Sequence, residues 1–463
     1  ILYKLLTVAI MNLILKNMFR NLSKIRKNLA LCEIGQYTFY LGTILLSTTN
    51  LLAGIFYLTS LIISLKIRPP SLKKDKWNLT LLICSILLII SSFKIASIQN
   101  SDLFYENAKK LFWDPSSIWL SLFNWIPLFF VFYGFQFYLK VEEQRIKFAQ
   151  CLLIGLIPVL ISFFMQQFLK IYGPFEYLYG LIVFYLKPVD STGYSGLFNN
   201  PNYAGLWLSS SLPFLIMIFK LNRYKKLKKG FILTIIFSTI ICIISTNSRN
   251  SLIGVLISTI FMTNIKFLIF SFLSIVLIYF LVINLNSFPF LETLAIDEIR
   301  PDKLFKKLIQ TNYFSKFESP RLDIWKKAII LISEKPILGW GAATFPFLYT
   351  LRSGIMNANH THSMPLEIAQ MYGIPIAIIL TLFVSFLFFK SWKIIFQEKS
   401  NLNTVVNKAW IISTLIILIS HLSDVTYYDG RISLLIWTLL SGLKSILDES
   451  NDKSNNNISK TQI

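Results

Sequence analysis

Histidine is nearly absent from this sequence, with 3 occurrences in 463 residues, and acidic residues number 23 against 45 Lys and Arg. Charged residues together make up 15% of the chain, where a soluble domain carries about 25%. A shortage of that size excludes a charged, water-facing surface over most of the molecule. The 4 cysteines are Cys32, Cys84, Cys151 and Cys242, scattered singly with no disulfide or metal-ligand spacing. No internal repeat is visible. The apolar blocks hold almost no Asp, Glu, Lys, Arg or His in their central turns; Glu33 and Lys94 lie near block ends. Ion-coupled transport and proton relays need such groups near the bilayer midplane, so this gap argues against them.

Apolar residues fill the space instead. The chain is 54% hydrophobic with mean hydropathy +0.59, and it includes 40 Phe. The apolar residues come in blocks of about 20, the length that crosses a hydrocarbon core. Spans are expected at 30–47, 50–66, 79–97, 117–139, 147–169, 203–219, 230–246, 251–265, 267–287, 367–389, 409–422 and 432–447. The fold class is therefore all-α, a polytopic transmembrane helical bundle of about 12 spans. Residues 1–29 read as a basic cytoplasmic interfacial segment rather than a cleaved signal peptide. Residues 30–287 carry spans one to nine, 288–366 a large loop subdomain, 367–447 spans ten to twelve, and 448–463 a disordered cytoplasmic tail.

Orientation follows from where the basic residues fall. With a cytoplasmic N-terminus, the inside segments collect most of the Lys and Arg, including Lys220, Arg223, Lys225, Lys226, Lys228 and Lys229. The short outside loops hold few, such as Lys109, Lys110, Lys170 and Lys187. That asymmetry is the positive-inside pattern. It places 98–116, 170–202, 247–250, 288–366 and 423–431 outside. The net charge of +22 thus reports membrane orientation, and no nucleic-acid partner is expected.

Unusual polar residues gather on that same outer face. They include Gly196 to Asn202, Thr246-Asn247-Ser248-Arg249, Ser319-Pro320-Arg321-Leu322-Asp323-Ile324-Trp325, and all three histidines, His360, His362 and His421. Ser319 suits an N-cap, Pro320 the first helical position and Pro336 a stop. Trp325, Ala328 and Ile332 form an apolar stripe in line with Arg321, which directs the arginine into a cleft if the stripe packs on the bundle. Gly339-Trp340-Gly341 allows a close backbone approach. Each signal also has a plain reading. Arg249 can be a snorkelling anchor, Asn199-Asn200-Pro201 a turn and helix start, Arg321 a partner of Glu318, and His360 with His362 a pair of exposed loop residues. A His-x-His with no third ligand in its loop is weak evidence for zinc, so no metal is expected. His421, three residues from Asp424, is expected to pair with it and orient a helix end.

In order along the chain, these segments resemble the O-antigen ligase and polymerase family of bacterial envelope glycan biosynthesis, over roughly residues 190–425. The resemblance rests on Gly196–Asn202, on Thr246–Arg249 followed by Gly254, and on Arg321–Trp325 leading to Pro336–Gly341 and Thr344-Phe345. It is completed by His362-Ser363, nine residues, then Gly373. The ligase pattern ends in Gly-x-x-Gly; here Ile376 stands where the last Gly belongs. The resemblance implies a multi-pass inner-membrane glycosyltransferase with a periplasmic loop subdomain, acting without nucleotide, metal or other cofactor. Its substrates would be a polyprenyl-diphosphate-linked glycan and a lipid A–core or other glycan acceptor, met among membrane lipids. Arg249 and Arg321 would hold the diphosphate through their planar donor forks, and His362 would be the general base. Asn202 and His360 would contribute to substrate binding. A polymerase of the same superfamily, or a bicarbonate-type transporter, are the alternatives.

Overall fold

The computed structural model describes residues 29–69, 75–98, 113–188, 193–221, 226–263, 320–353, 358–397 and 403–461. Helices α1 (29–45), α2 (Asn50–Ile67) and α3 (Lys76–Ile98) come first. The fourth, α4, is a broken helix over Ser117–Tyr138, and α5 is Glu142–Gln167. A small antiparallel hairpin, β1 (Phe175–Tyr177) with β2 (Ile182–Phe184), pairs Glu176 with Val183. It is the one departure from an all-α chain among the described residues. Then follow α6 (Pro201–Lys220), α7 (Lys226–Ser245), α8 (Arg249–Met262), α9 (Pro320–Glu334), α10 (Phe345–Ser353), α11 (Met364–Tyr372), α12 (Ile374–Phe396), α13 (Val405–Ser423) and α14 (Gly430–Thr461).

Eight of these helices are long and apolar enough to cross a membrane, and α7 and α8 are shorter apolar helices. The ninth expected span, 267–287, and residues 288–319 lie outside the described residues. Outer helices leave apolar stripes uncovered: Leu51, Ile55, Leu58 and Ile62 on α2, and Ile378, Leu382, Phe386 and Phe389 on α12. These spacings of three and four put each set on one helix face. Such faces are unstable in water but natural against lipid tails. At the centre, 83% of the apolar stretch of α6 and 89% of that of α14 are buried, against 28% for α2.

Small residues bring the central helices close. A side chain at Gly254 on α8 would meet Ser209 of α6 and Ile416 of α13, and one at Gly205 on α6 would collide with Ser251 of α8. Ser413 donates to the Ser210 carbonyl at 2.7 Å. In lipid, where apolar burial gives no net driving force between helices, such close backbone packing is what holds them together. The start of α6, the start of α8, the end of α13 and the start of α14 consequently share one end of the bundle. The opposite end carries charge pairs, Arg145 with Glu449 at 2.7 Å and Lys444 with Asp448 at 2.6 Å.

Two sequence expectations are corrected. The tenth span begins at Ile374 rather than 367, because Gly373 breaks the chain at φ 90° between α11 and α12. A Cβ there would strike the Ile337 carbonyl, and Pro375 follows in the first turn of α12. The tail from 448, expected to be disordered, continues α14 to Thr461. No Gly or Pro interrupts it, and the Arg145–Glu449 and Lys444–Asp448 pairs anchor its first turns.

Candidate active site

Helix α9 starts where Pro320 was expected to start it and ends just before Pro336. Ala328 and Leu331 are fully buried and Ile324 nearly so. They pack with Trp340, Phe345, Leu348 and Tyr349 in a second apolar core, while Ile332 joins the main one. The stripe therefore does dock, and Arg321 at its head is half-buried. The Gly339–Gly341 turn meets the end of α11: Trp340 N–H donates to the Gln370 carbonyl at 2.8 Å and Gly341 N–H to that of Met371 at 2.9 Å.

This frame fixes the loop from 358 to 363. Buried Glu367 on α11 accepts the Thr361 N–H at 2.9 Å, and the Thr361 hydroxyl donates to the Ser363 carbonyl at 2.9 Å. Between them His362 is held at φ 52°, a left-handed conformation that costs a non-glycine residue about 1–3 kcal/mol. Its N–H donates to His360 Nδ1 at 3.3 Å, and the two imidazoles meet edge to face at 4.3 Å.

Asp424, at the end of α13, reaches His362 Nδ1 with Oδ1 at 3.3 Å. His362 is 27% exposed and the carboxylate 5%, so the imidazole can be met from outside while the acid cannot. Burial by itself would raise the Asp424 carboxyl. The His362 hydrogen bond, the charges of both histidines and the Val425 N–H outweigh it and hold the group below the usual carboxylate range. His360 is pushed down to about 4, first by burial and then by the charge of His362, with Arg321 adding to the effect. That influence places the Arg321 guanidinium within electrostatic reach of His360.

Arg249 is the first residue of α8 and is exposed. Its neighbour Asn250 accepts a hydrogen bond from Ser423 at 3.1 Å, directly before Asp424, so the two helix ends are tied together. Asn202 lies in the first turn of α6, its N–H capped by the Asn200 side chain at 2.8 Å. It lines a 250 Å³ recess with Lys187, Ser195 and Asn199, which none of the histidines lines. Asp424's charge does reach the next residue, Tyr203.

His421 does not pair with Asp424 as expected. The carboxylate bonds His362 and the Val425 N–H instead. His421 is buried, and among the described residues its Nε2 has no hydrogen-bond partner. It lines an apolar cavity of 310 Å³ together with Met364, Ile368, Leu380, Leu418 and Trp437. Residues the sequence did not single out for a role at the site hold it together: Asp424, Glu367, and Arg431. The last forms a buried pair with Asp429 at 2.8 Å, donates to the Leu197 carbonyl at 3.1 Å and stacks over Phe198 at 3.9 Å, which fixes the Gly196–Asn202 stretch. The sequence signal for Asp424 is an acid at the outer end of an apolar span, a signal that points to His421 three residues away. His360, His362 and Asp424 also offer three metal-ligand atoms within 4.8 Å of one another.

No curated protein matches the chain. A family model does: residues 232–381 match the O-antigen ligase family, a stretch that takes in Arg249, Arg321, His360, His362 and Gly373 and stops short of Asp424. Over residues 232–381, about a third of its length, the chain is thus similar to the O-antigen ligase family.

Proposed function

We propose that this chain is a multi-pass inner-membrane glycosyltransferase of the O-antigen ligase type. It moves a glycan from a polyprenyl-diphosphate carrier to an acceptor hydroxyl, with lipid A–core as the acceptor, on the periplasmic side. The observation that carries the reading is the His362–Asp424 pair at 3.3 Å with Arg321 in electrostatic reach at the outer ends of packed helices.

In this reading Asp424 accepts Nδ1–H of His362 and fixes the tautomer that leaves the Nε2 lone pair free. The acceptor O–H proton passes to Nε2 as its oxygen attacks the anomeric carbon. The bond from that carbon to the diphosphate oxygen breaks, and the diphosphate leaves with the electron pair. Arg321 and Arg249 meet the charge developing on the leaving group, where a guanidinium offers paired, permanently charged donors. The apolar cavity beside His421 suits the first isoprene units of the carrier. The gap at the spans' midplanes speaks against the transporter alternative.

A deletion strain analysed for surface glycan tests the assignment. Loss of lipid A-attached long chains with carrier-linked polymer accumulating supports the ligase. Single-repeat chains move the assignment to a polymerase, and an unchanged glycan ladder overturns both.

A further inference from the structure

We propose that His360, His362 and Asp424 form a binding site for a single zinc-class divalent cation, and that occupation of this site switches off His362 as a base. The second half rests on the glycan-transfer reading; the first stands on geometry alone.

The donor set is two imidazoles and one carboxylate, the combination that takes zinc-class ions and not magnesium, which prefers an all-oxygen shell. The three ligand atoms lie within 4.8 Å of one another, and the His362–Asp424 pair is already at 3.3 Å. Tetrahedral zinc, with bonds of about 2.0–2.2 Å, requires ligand separations of about 3.3 Å. The His362–Asp424 edge already matches that separation, and the longest edge of the set, at most 4.8 Å, shortens when the ion binds. His360 Nδ1 faces the His362 N–H, which leaves Nε2 as its ligand atom.

Ligands are as a rule oriented by an outer layer of hydrogen bonds, and that layer is built. The Val425 N–H holds the Asp424 carboxylate at 2.9 Å, and Glu367 holds the Thr361 backbone between the two histidines. Three protein ligands leave a fourth position open, and the nearby positive charge of Arg321 favours an anion or hydroxide there.

The consequence for chemistry follows from counting protons. With Nδ1 donating to Asp424, neutral His362 keeps its lone pair on Nε2. A cation at Nδ1 takes the lone pair there, and the single imidazole proton moves to Nε2. No proton is released overall, but Nε2 becomes a donor and can no longer accept the acceptor's proton. Zinc binding and base catalysis thus exclude each other at one ring.

The test uses the purified full chain in nanodiscs, stripped with chelator and dialysed against buffered Zn²⁺, with bound metal measured directly. One zinc per chain is expected. Affinity should fall at least tenfold in both His360→Ala and Asp424→Asn, each checked for intact folding by size-exclusion chromatography. Co²⁺ loaded into the wild type should give visible d–d absorption of a tetrahedral site, a readout independent of any variant. Failure to retain zinc above the level of the His360→Ala/Asp424→Asn double variant overturns the proposed site. Glycan transfer assayed in parallel separates the two claims. Stoichiometric zinc with inhibition relieved by chelator supports both, whereas stoichiometric zinc with transfer unchanged keeps the site and overturns His362 as the base.

Discussion

His362 and Asp424 join a half-buried ring to a buried acid through one hydrogen bond. If the ring takes the acceptor's proton, His362→Ala removes a base and should lower kcat by about 100- to 10,000-fold at normal protein level. Asp424→Asn keeps the shape but can no longer accept Nδ1–H as an anion. As a positioning residue it should lower kcat by a smaller factor, about 10- to 100-fold by analogy with other groups that orient an imidazole, and leave KM nearly unchanged. Arg321→Lys keeps charge without the planar fork and should lose most transfer; wild-type transfer in that variant rejects the phosphate role.

The neighbouring His360 makes a separate prediction about pH. Its folded value of about 4 lies below the ordinary 6.5, so the unfolded chain binds the proton first. Its contribution to stability is complete above about pH 6.5 and lost as pH falls toward 4. Melting temperature should drop across that window, and His360→Ala should show a smaller drop. Of these residues, the sequence marked His362, Arg321 and Arg249. It could not mark Asp424 as the partner of His362, because the two stand 62 positions apart and only the packing of α13 beside α11 brings them together.

At the scale of elements, most helices fall where the apolar blocks put them, since a block of about 20 apolar residues in lipid has few alternatives to a helix. The misreadings come where apolarity continues through a change of direction. Residues 367–389 read as one span, yet Gly373 divides them at φ 90°. Hydropathy is blind to that angle. Gly373→Ala should destabilise the protein by about 1–3 kcal/mol, from left-handed strain and from the Ile337 carbonyl in the way, which a lowered melting temperature would record. Because α11 carries Glu367 and follows the His360–His362 loop, transfer should fall along with stability.

For the whole molecule, the basic-residue asymmetry and the shared bundle end agree on which helix termini lie together. They make one checkable statement about the membrane. Tyr179, at the tip of the β1–β2 hairpin and fully exposed, belongs to the site face, and Gln397, after the end of α12, to the other. With the native cysteines replaced by alanine, Tyr179→Cys should react with a membrane-impermeant thiol reagent in spheroplasts. Gln397→Cys should react only after the membrane is opened. The reverse pattern rejects the topology and the periplasmic reaction with it.

Helix α8 has one more property that matters for the bilayer itself. Its 14 residues at about 1.5 Å each reach about 21 Å, while the hydrocarbon layer is about 30 Å thick. If α8 lies across the membrane, the backbones of Arg249 at one end and Thr263 at the other cannot both lie at the headgroups of an undeformed bilayer. Either the bilayer is dimpled around α8 or the arginine sits below the surrounding surface, in both cases at a mismatch that costs fractions of a kcal/mol per Å. A carrier diphosphate drawn into such a depression would leave bulk water as it meets Arg249. If the glycan-transfer reading holds, turnover should then decline as acyl chains lengthen in reconstituted membranes, with lipid thickness acting as a dial on a reaction that never touches the acyl chains.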